Sequence, residues 1–488
     1  MKKLVIAAIF AVGFHAAIEA APTDAVTQAD LQALIQRINK LEAENSAQAK
    51  RIAELEGRSG LVKPATKSET KKVDEGTEVS ESGRVYTTKQ GFKYYLADKT
   101  ANIFEPLSES GLKITPYGYL VFEGVYNTHG VDCDWSTDCV QNPHTRGYED
   151  HTSTLSMQDS ILGLQFETPE AENGWKFVGR AEFDLAGGNA NEYNFHWRHI
   201  YVDAQHESGW SILFGQTWHL WKMVTPSEID GAWMENAGHP YRRSPQLRVT
   251  KKWDIDDKSS LEWRVGIVKN GPGMGGDRDD NGVEDNSASA MPLFETALMY
   301  DHVAPWEEKT GRRFLIGFGG MYGQDRLRDW NGDRDNYDSM MAMFAMQIPY
   351  GDFTLTGQFF GGENLGGVQA GVGQTINFSR KTGKAQGIKT FGGFLDLAYQ
   401  LNSDWSFAIG YGFDRPTVGD EYIEGEDGIS SSVTRNDRAY VDAFYQITSN
   451  FKLGLEYARL NTRYAESDEY KGGNAYSDRV QFSAFYDF

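Results

Sequence analysis

Arg180, Arg248, Arg264, Arg438 and Arg479 each fall on the polar side of a stretch in which apolar and polar residues alternate. Glu182, Asp184, Glu262 and Asp442 are interleaved with them on the same side. A second charged set, His219, Lys222, Glu228, Asp230, Glu235, Arg242 and Arg243, lies in one long connection, 218–243. Charges lining a wet passage filter what crosses it: arginine or lysine rings favour anions, and acidic rings favour cations. A mixed set gives a transverse field that orients zwitterions and dipoles. The bland alternative is that these charges only solvate a surface and pair with one another.

Other chemistry has little support. Gly271, Gly273 and Gly276 match G-x-G-x-x-G, but an acidic loop follows where a nucleotide site needs a helix. His196 and His199 sit at opposite strand parity, so strict alternation keeps them from sharing a metal. No G-x-S-x-G stretch occurs, and no enzymatic activity is expected. A net charge of −21 argues against nonspecific nucleic-acid binding. Cys133 and Cys139 are the only cysteines, and in an exported chain they are expected to close a small disulfide loop. Asp277, Asp279 and Asn281 match the first half of a calcium loop, but Ala288 stands where a bidentate Glu is needed. No cofactor is expected, and calcium in that extracellular loop is the one ligand left open.

The elements that would position the charges read as strands. In Trp175–Leu185, residues Trp175, Phe177, Ala181 and Phe183 share one face, and Lys176, Arg180, Glu182 and Asp184 share the other. Sixteen such stretches run from 112–127 to 476–488. Odd connections are mostly long and polar, and even ones are mostly short, such as "SGW" at 208–210 and "YGD" at 350–352. Backbone polar groups in hydrocarbon need internal partners, which strands supply only in a closed barrel. Lipid-facing residues are then apolar and lumen-facing ones free to carry charge. The fold class is therefore all-β: a 16-stranded antiparallel transmembrane β-barrel, 111–488, wide enough to hold water. No stretch after the N-terminus is apolar over the about 20 residues a membrane helix needs.

Residues 1–21 read as a signal peptide, with Lys2 and Lys3 before an apolar core. Over 22–58, Leu31, Leu34, Ile38, Leu41, Asn45, Gln48, Ile52 and Leu55 keep a and d spacing, which predicts an α-helical coiled coil. One strand of such a seam cannot bury itself, so oligomers are implied. Residues 59–110 form a polar linker with a possible hairpin at 84–96. An even strand count puts both barrel ends on the short-turn side, which would be the periplasm. At the other end of the chain, Phe482, Tyr486 and the terminal Phe488 resemble the C-terminal targeting strand of bacterial outer-membrane proteins. That resemblance implies the barrel-assembly machinery as a partner.

With these features in place the chain resembles the DcaP-like trimeric outer-membrane porins, with phosphate-selective porins as neighbours. The local match is 198–221 followed by 225–250, in which "GQTW" at 215–218 precedes the long loop with Pro226 and Asp230. The resemblance implies a homotrimer in outer-membrane lipid, its coiled coil in the periplasm, that passes small polar solutes, organic anions above all. It also places the constriction in the 218–243 loop. The expanded acidic loops, 277–285, 331–338 and 419–427, pull against anion preference. The rival from another class is a structural tether joining membrane to periplasm through the coiled coil.

Overall fold

A computed structural model describes the backbone of three short strands between residues 77 and 95. From 111 onward it describes every residue except 134–135, 137, 188–192, 272–287, 329–333, 380 and 383. The signal peptide, the coiled-coil seam and the half calcium loop lie outside the described residues. Thr77–Ser80, Gly83–Thr87 and Lys93–Tyr95 form an antiparallel sheet of their own, within a unit separate from the rest of the chain.

The second unit is a closed barrel. Its strands are β1 Lys113–Asn127, β2 in two pieces at Thr152–Ser156 and Ile161–Glu167, β3 Trp175–Asp184, β4 His196–His206, β5 Trp210–Trp218, β6 Arg243–Asp256, β7 Ser259–Val268 and β8 Ala288–Val303. Then come β9 Arg313–Arg328, β10 Arg334–Tyr350, β11 Phe353–Glu363, β12 Lys389–Gln400, β13 Trp405–Thr417, β14 Val433–Gln446, β15 Phe451–Tyr464 and β16 Gly473–Asp487. Each pairs antiparallel with the next, and β16 closes on β1 from Arg479↔Asn127 to Asp487↔Tyr119. Closure leaves no sheet edge, so every strand has a neighbour on both sides.

Alternation decides which side chains face out of the barrel. On β16, Phe482 is 42% exposed and its neighbour Gln481 is 0% exposed. Leu120, Phe214, Leu247, Phe318, Ile409 and Leu455 repeat the outward apolar choice on other strands. The backbone of Phe488 exchanges hydrogen bonds with Gly118 of β1, at 3.1 and 3.3 Å. The chain end is therefore pinned into the seam.

Three local features depart from the sequence reading. Expected as one strand over 154–167, β2 is broken at Met157–Ser160, and both pieces pair with β1. Opposite the gap, Ser160 Oγ accepts from the Val121 N–H at 3.1 Å and donates to its carbonyl at 3.3 Å. A side chain thus replaces the missing ladder bonds. The β9–β10 hairpin runs further than the expected 312–323 and 338–349, with pairs such as Arg326↔Asn336 continuing the ladder. Ladder bonds need no apolar side chains, so polar residues hid these turns of the hairpin. Lastly, the expected bond between Cys133 and Cys139 is not formed. The Asp132 carboxylate closes that loop instead, accepting from the N–H groups of Cys133, Asp138 and Cys139 at 2.9, 3.1 and 3.0 Å.

Candidate functional site

The connection from β5 to β6, residues 219–242, folds into the barrel and is anchored along its length. At its root His219 Nδ1 lies 2.5 Å from Glu295 Oε1 of β8, and the Leu220 N–H donates to the other carboxylate oxygen at 2.9 Å. Leu220 and Trp221 are fully buried against inward residues of β7–β11, including Val268, Leu293, Met321 and Met341. Further along, the loop backbone touches the opposite wall. A Cβ on Gly412 of β13 would stand 2.1 Å from the Ala237 carbonyl oxygen, so only glycine admits the loop there. Trp233, Met234 and Asn236 take left-handed φ of 46°, 59° and 54°, at about 1–2 kcal/mol each. The turns are held by Glu235 N–H to the Ala232 carbonyl at 2.8 Å and Ala237 N–H to the Met234 carbonyl at 3.0 Å.

The middle of the loop is latched by buried charge. Arg438 of β14 donates to Asp230 Oδ2 at 2.6 Å and to Glu456 Oε1 of β15 at 3.1 Å, and it also pairs with Glu228. Arg479 of β16 lies 3.1 Å from the same Asp230 oxygen and donates to Gln481 at 2.7 Å. The carboxylates are further bound by loop N–H groups: Ile229 donates to Asp442 and Glu456 at 3.2 and 3.1 Å, and Met234 to Glu228 at 2.6 Å. Arg438 is 2% exposed, and Arg479 and Asp230 are 0% exposed. Arg438, Arg479 and Asp442 thus face inward as the alternation predicts, and Asp230 reaches them from the loop, but none of the four lines water. They seal the loop to the wall. Glu456, on the predicted polar face of β15, carries no sequence signal of this role, because the loop N–H groups of Ile229 and Asp230 that it accepts from lie over 200 residues away.

The wall formed by β3–β7 is different. Arg198 of β4 donates to Glu182 and Asp184, both at 2.8 Å. Tyr117 adds a hydroxyl to Glu182 at 2.7 Å, and Arg180 stands 3.9 Å from it. Glu262 is paired with Arg264 at 2.6 Å. Glu182, Asp184 and Glu262 are therefore each held by a cation, whereas Asp203 of β4 accepts from Gln205 at 2.9 Å and has no cation at ion-pair distance among the described residues. Lys222, Arg243 and Arg248 have no carboxylate within ion-pair distance among the described residues, and each is part-exposed. Arg242, beside them, donates to the Gly367 carbonyl at 2.6 Å. The Trp218 ring gathers cations: Arg243 at 4.6 Å, Lys222 at 5.3 Å and Arg198 at 5.9 Å from its centroid. Tyr241 and Trp233 complete an aromatic cluster, 5.7 and 6.4 Å from Trp218. Burial first, and then the charges of Arg198 and Arg243, push the Lys222 ammonium down to about 8. Burial holds the nearby Glu235 carboxyl up at about 7.

Arg198 is the residue that strict parity conceals. It shares parity with Ile200, which faces outward at 50% exposed. Between β3 and β4 the register jumps from Glu182↔His199 to Phe183↔Trp197, skipping Arg198. That bulge turns Arg198 inward, as bulges commonly re-aim a side chain. It also corrects the parity argument for the histidines: His196 lies 3.1 Å from Asp184, and His199 lies 3.6 Å from Glu182, on one inner surface. No sequence signal at 196–199 marks the bulge.

Solved structures share the fold. The outer-membrane channel DcaP of Acinetobacter baumannii aligns with a TM-score of 0.59 at 18% identity, over 77% of this chain and 97% of that one. An anion-selective porin from Comamonas acidovorans aligns at 0.49 and 12% identity, over 77% and 100% of the two chains. OprB of Pseudomonas putida aligns at 0.48 and 12%, over 80% and 98%. No protein-family model matches the sequence, and no curated protein does.

Proposed function

We propose, from a barrel fold shared with the DcaP outer-membrane channel, that this protein is a porin for passive diffusion of small polar solutes, with a preference for organic anions. The observation that carries this reading is the imbalance around Trp218. There Lys222 and Arg243 stand over the ring with no carboxylate at ion-pair distance among the described residues, while Glu182 and Asp184 are spent on Arg198. An anion entering the lumen meets positive charge whose compensation must come from the solute or its counterions. Nothing turns over, and the driving force is the solute gradient.

Planar-bilayer recordings under a salt gradient test the sign. A reversal potential on the anion-selective side is expected, and cation selectivity overturns the preference. Purified protein that opens no channels overturns the porin reading in favour of a tether. We also propose a homotrimer whose protomers meet through the N-terminal heptads. Aspartate at Leu34, Ile38 and Leu41 is then expected to lower the temperature at which oligomers dissociate.

A further inference from the structure

Trp233, which lies 5.8 Å from the Lys222 ammonium, also lines a cavity of about 390 Å³. It is lined by Glu123, Asp159, Glu228, Trp233, Lys452 and Phe485 among others. Glu228 is spoken for by Arg438. Glu123 is 1% exposed, and it uses one oxygen to accept from Gln481 Nε2 at 2.9 Å. Its Oε2 is buried with no donor, and so is Oδ2 of Asp159. The one cation in the lining, Lys452, lies over the Phe444 and Phe485 rings at 5.5 and 4.8 Å and forms no ion pair with these carboxylates. Asp487, also in the lining, adds to the acidic excess.

Buried carboxylate oxygens without donors are costly, and a hydrogen-bond donor carrying positive charge relieves that cost best. An aromatic face beside them adds cation–π attraction. Trp233 touches both stations: the Lys222 ammonium is 5.8 Å from its ring, and the ring also lines the acidic cavity. We infer that the cavity at Glu123 and Asp159 is a binding station for a solute ammonium group, so that the pore takes amino-carboxylate zwitterions with the carboxylate at Lys222 and Arg243 and the ammonium across Trp233. This rests on the porin reading and names a solute class for it. A cationic group at one station and unsatisfied carboxyl oxygens at the other hold a zwitterion in a single orientation, and a simple anion gains only the first.

The test uses full-length protein in liposomes and compares swelling rates for γ-aminobutyrate and butyrate at neutral pH. Replacing both acids (Glu123→Gln with Asp159→Asn) is expected to lower the ratio of the two rates about fivefold, the effect of about one lost charged contact. An unchanged ratio overturns the inference. Whatever the yield of that variant, single-channel recordings on the unaltered protein decide independently. γ-Aminobutyrate is expected to prolong current interruptions several-fold relative to butyrate, and equal durations overturn the inference. A protein that opens no channel at all sinks the porin reading itself. One that conducts anions but treats the two solutes alike sinks only the ammonium station.

Discussion

Arg438 and Arg248 are the same residue type at the same strand parity, yet they have opposite fates. Arg438 on β14 is buried among Glu228, Asp230 and Glu456, whereas Arg248 on β6 has no carboxylate partner among the described residues and stays part-exposed. The difference lies in the 219–242 loop, which leaves β5 on the wall of Arg248 and spends Glu228 and Asp230 on Arg438 and Arg479 of the far one. Covering one set of arginines makes them structural and leaves the other set as the electrostatic surface of the lumen. On the proposed reading, a charge is available as a filter only where nothing else in the protein has claimed it.

The strongest way to break this contrast is to remove the latch. Arg438→Ala strands three carboxylates in a buried site, and losing one partner of such a cluster costs about 3–5 kcal/mol. Thermal unfolding in detergent should fall accordingly, with larger and noisier single-channel conductance. A quiet channel of normal size would mean the loop holds without Arg438. Next in size, Gly412→Val forces a branched side chain into the space of the Ala237 carbonyl, which should cost about 1–3 kcal/mol by overpacking and widen the pore as the loop withdraws. On the open wall, Arg248→Ala should leave stability within about 0.5 kcal/mol. It should lower the anion-to-cation permeability ratio about threefold, as read from reversal potentials. A loss of stability comparable to that of Arg438→Ala would erase the distinction between the walls.

The smallest expected effect is a pH dependence. Burial depresses Lys222 to about 8, so its charge is complete below that value and is lost as pH rises through it. Burial raises Glu235 to about 7, so this carboxyl gains negative charge over the same window. Both changes make the constriction less cationic. Anion preference should decline between pH 6 and pH 9, and Lys222→Arg should flatten the upper half of that decline.

The barrel was legible because its signal is local. Phe482 and Gln481 declare their faces to any reader of β16, since an apolar side chain and a hydrogen-bonding one alternate there, the first turned outward and the second inward. The inner face of β3, from Lys176 to Asp184, was legible for the same reason. Arg198 was not, because one extra residue in a strand reverses parity without changing residue types. Ser160 was also hidden, as nothing in a hydroxyl announces that it will satisfy the backbone of a strand 39 residues earlier. The use of Arg438 and Arg479 was misread as pore lining because facing inward was equated with facing water.

By itself the sequence determined the period-two wall, the alternation of long and short connections and the inventory of charges inside. These follow from the chain's neighbours one and two residues away, together with the chemistry of lipid and water. Only the tertiary structure decided which charges remain available. Ion pairs such as Asp230 with Arg438 join residues about 200 positions apart, and their formation depends on where an irregular loop of left-handed turns comes to rest. Free energy at that distance is set by burial and three-dimensional geometry, which no local pattern encodes.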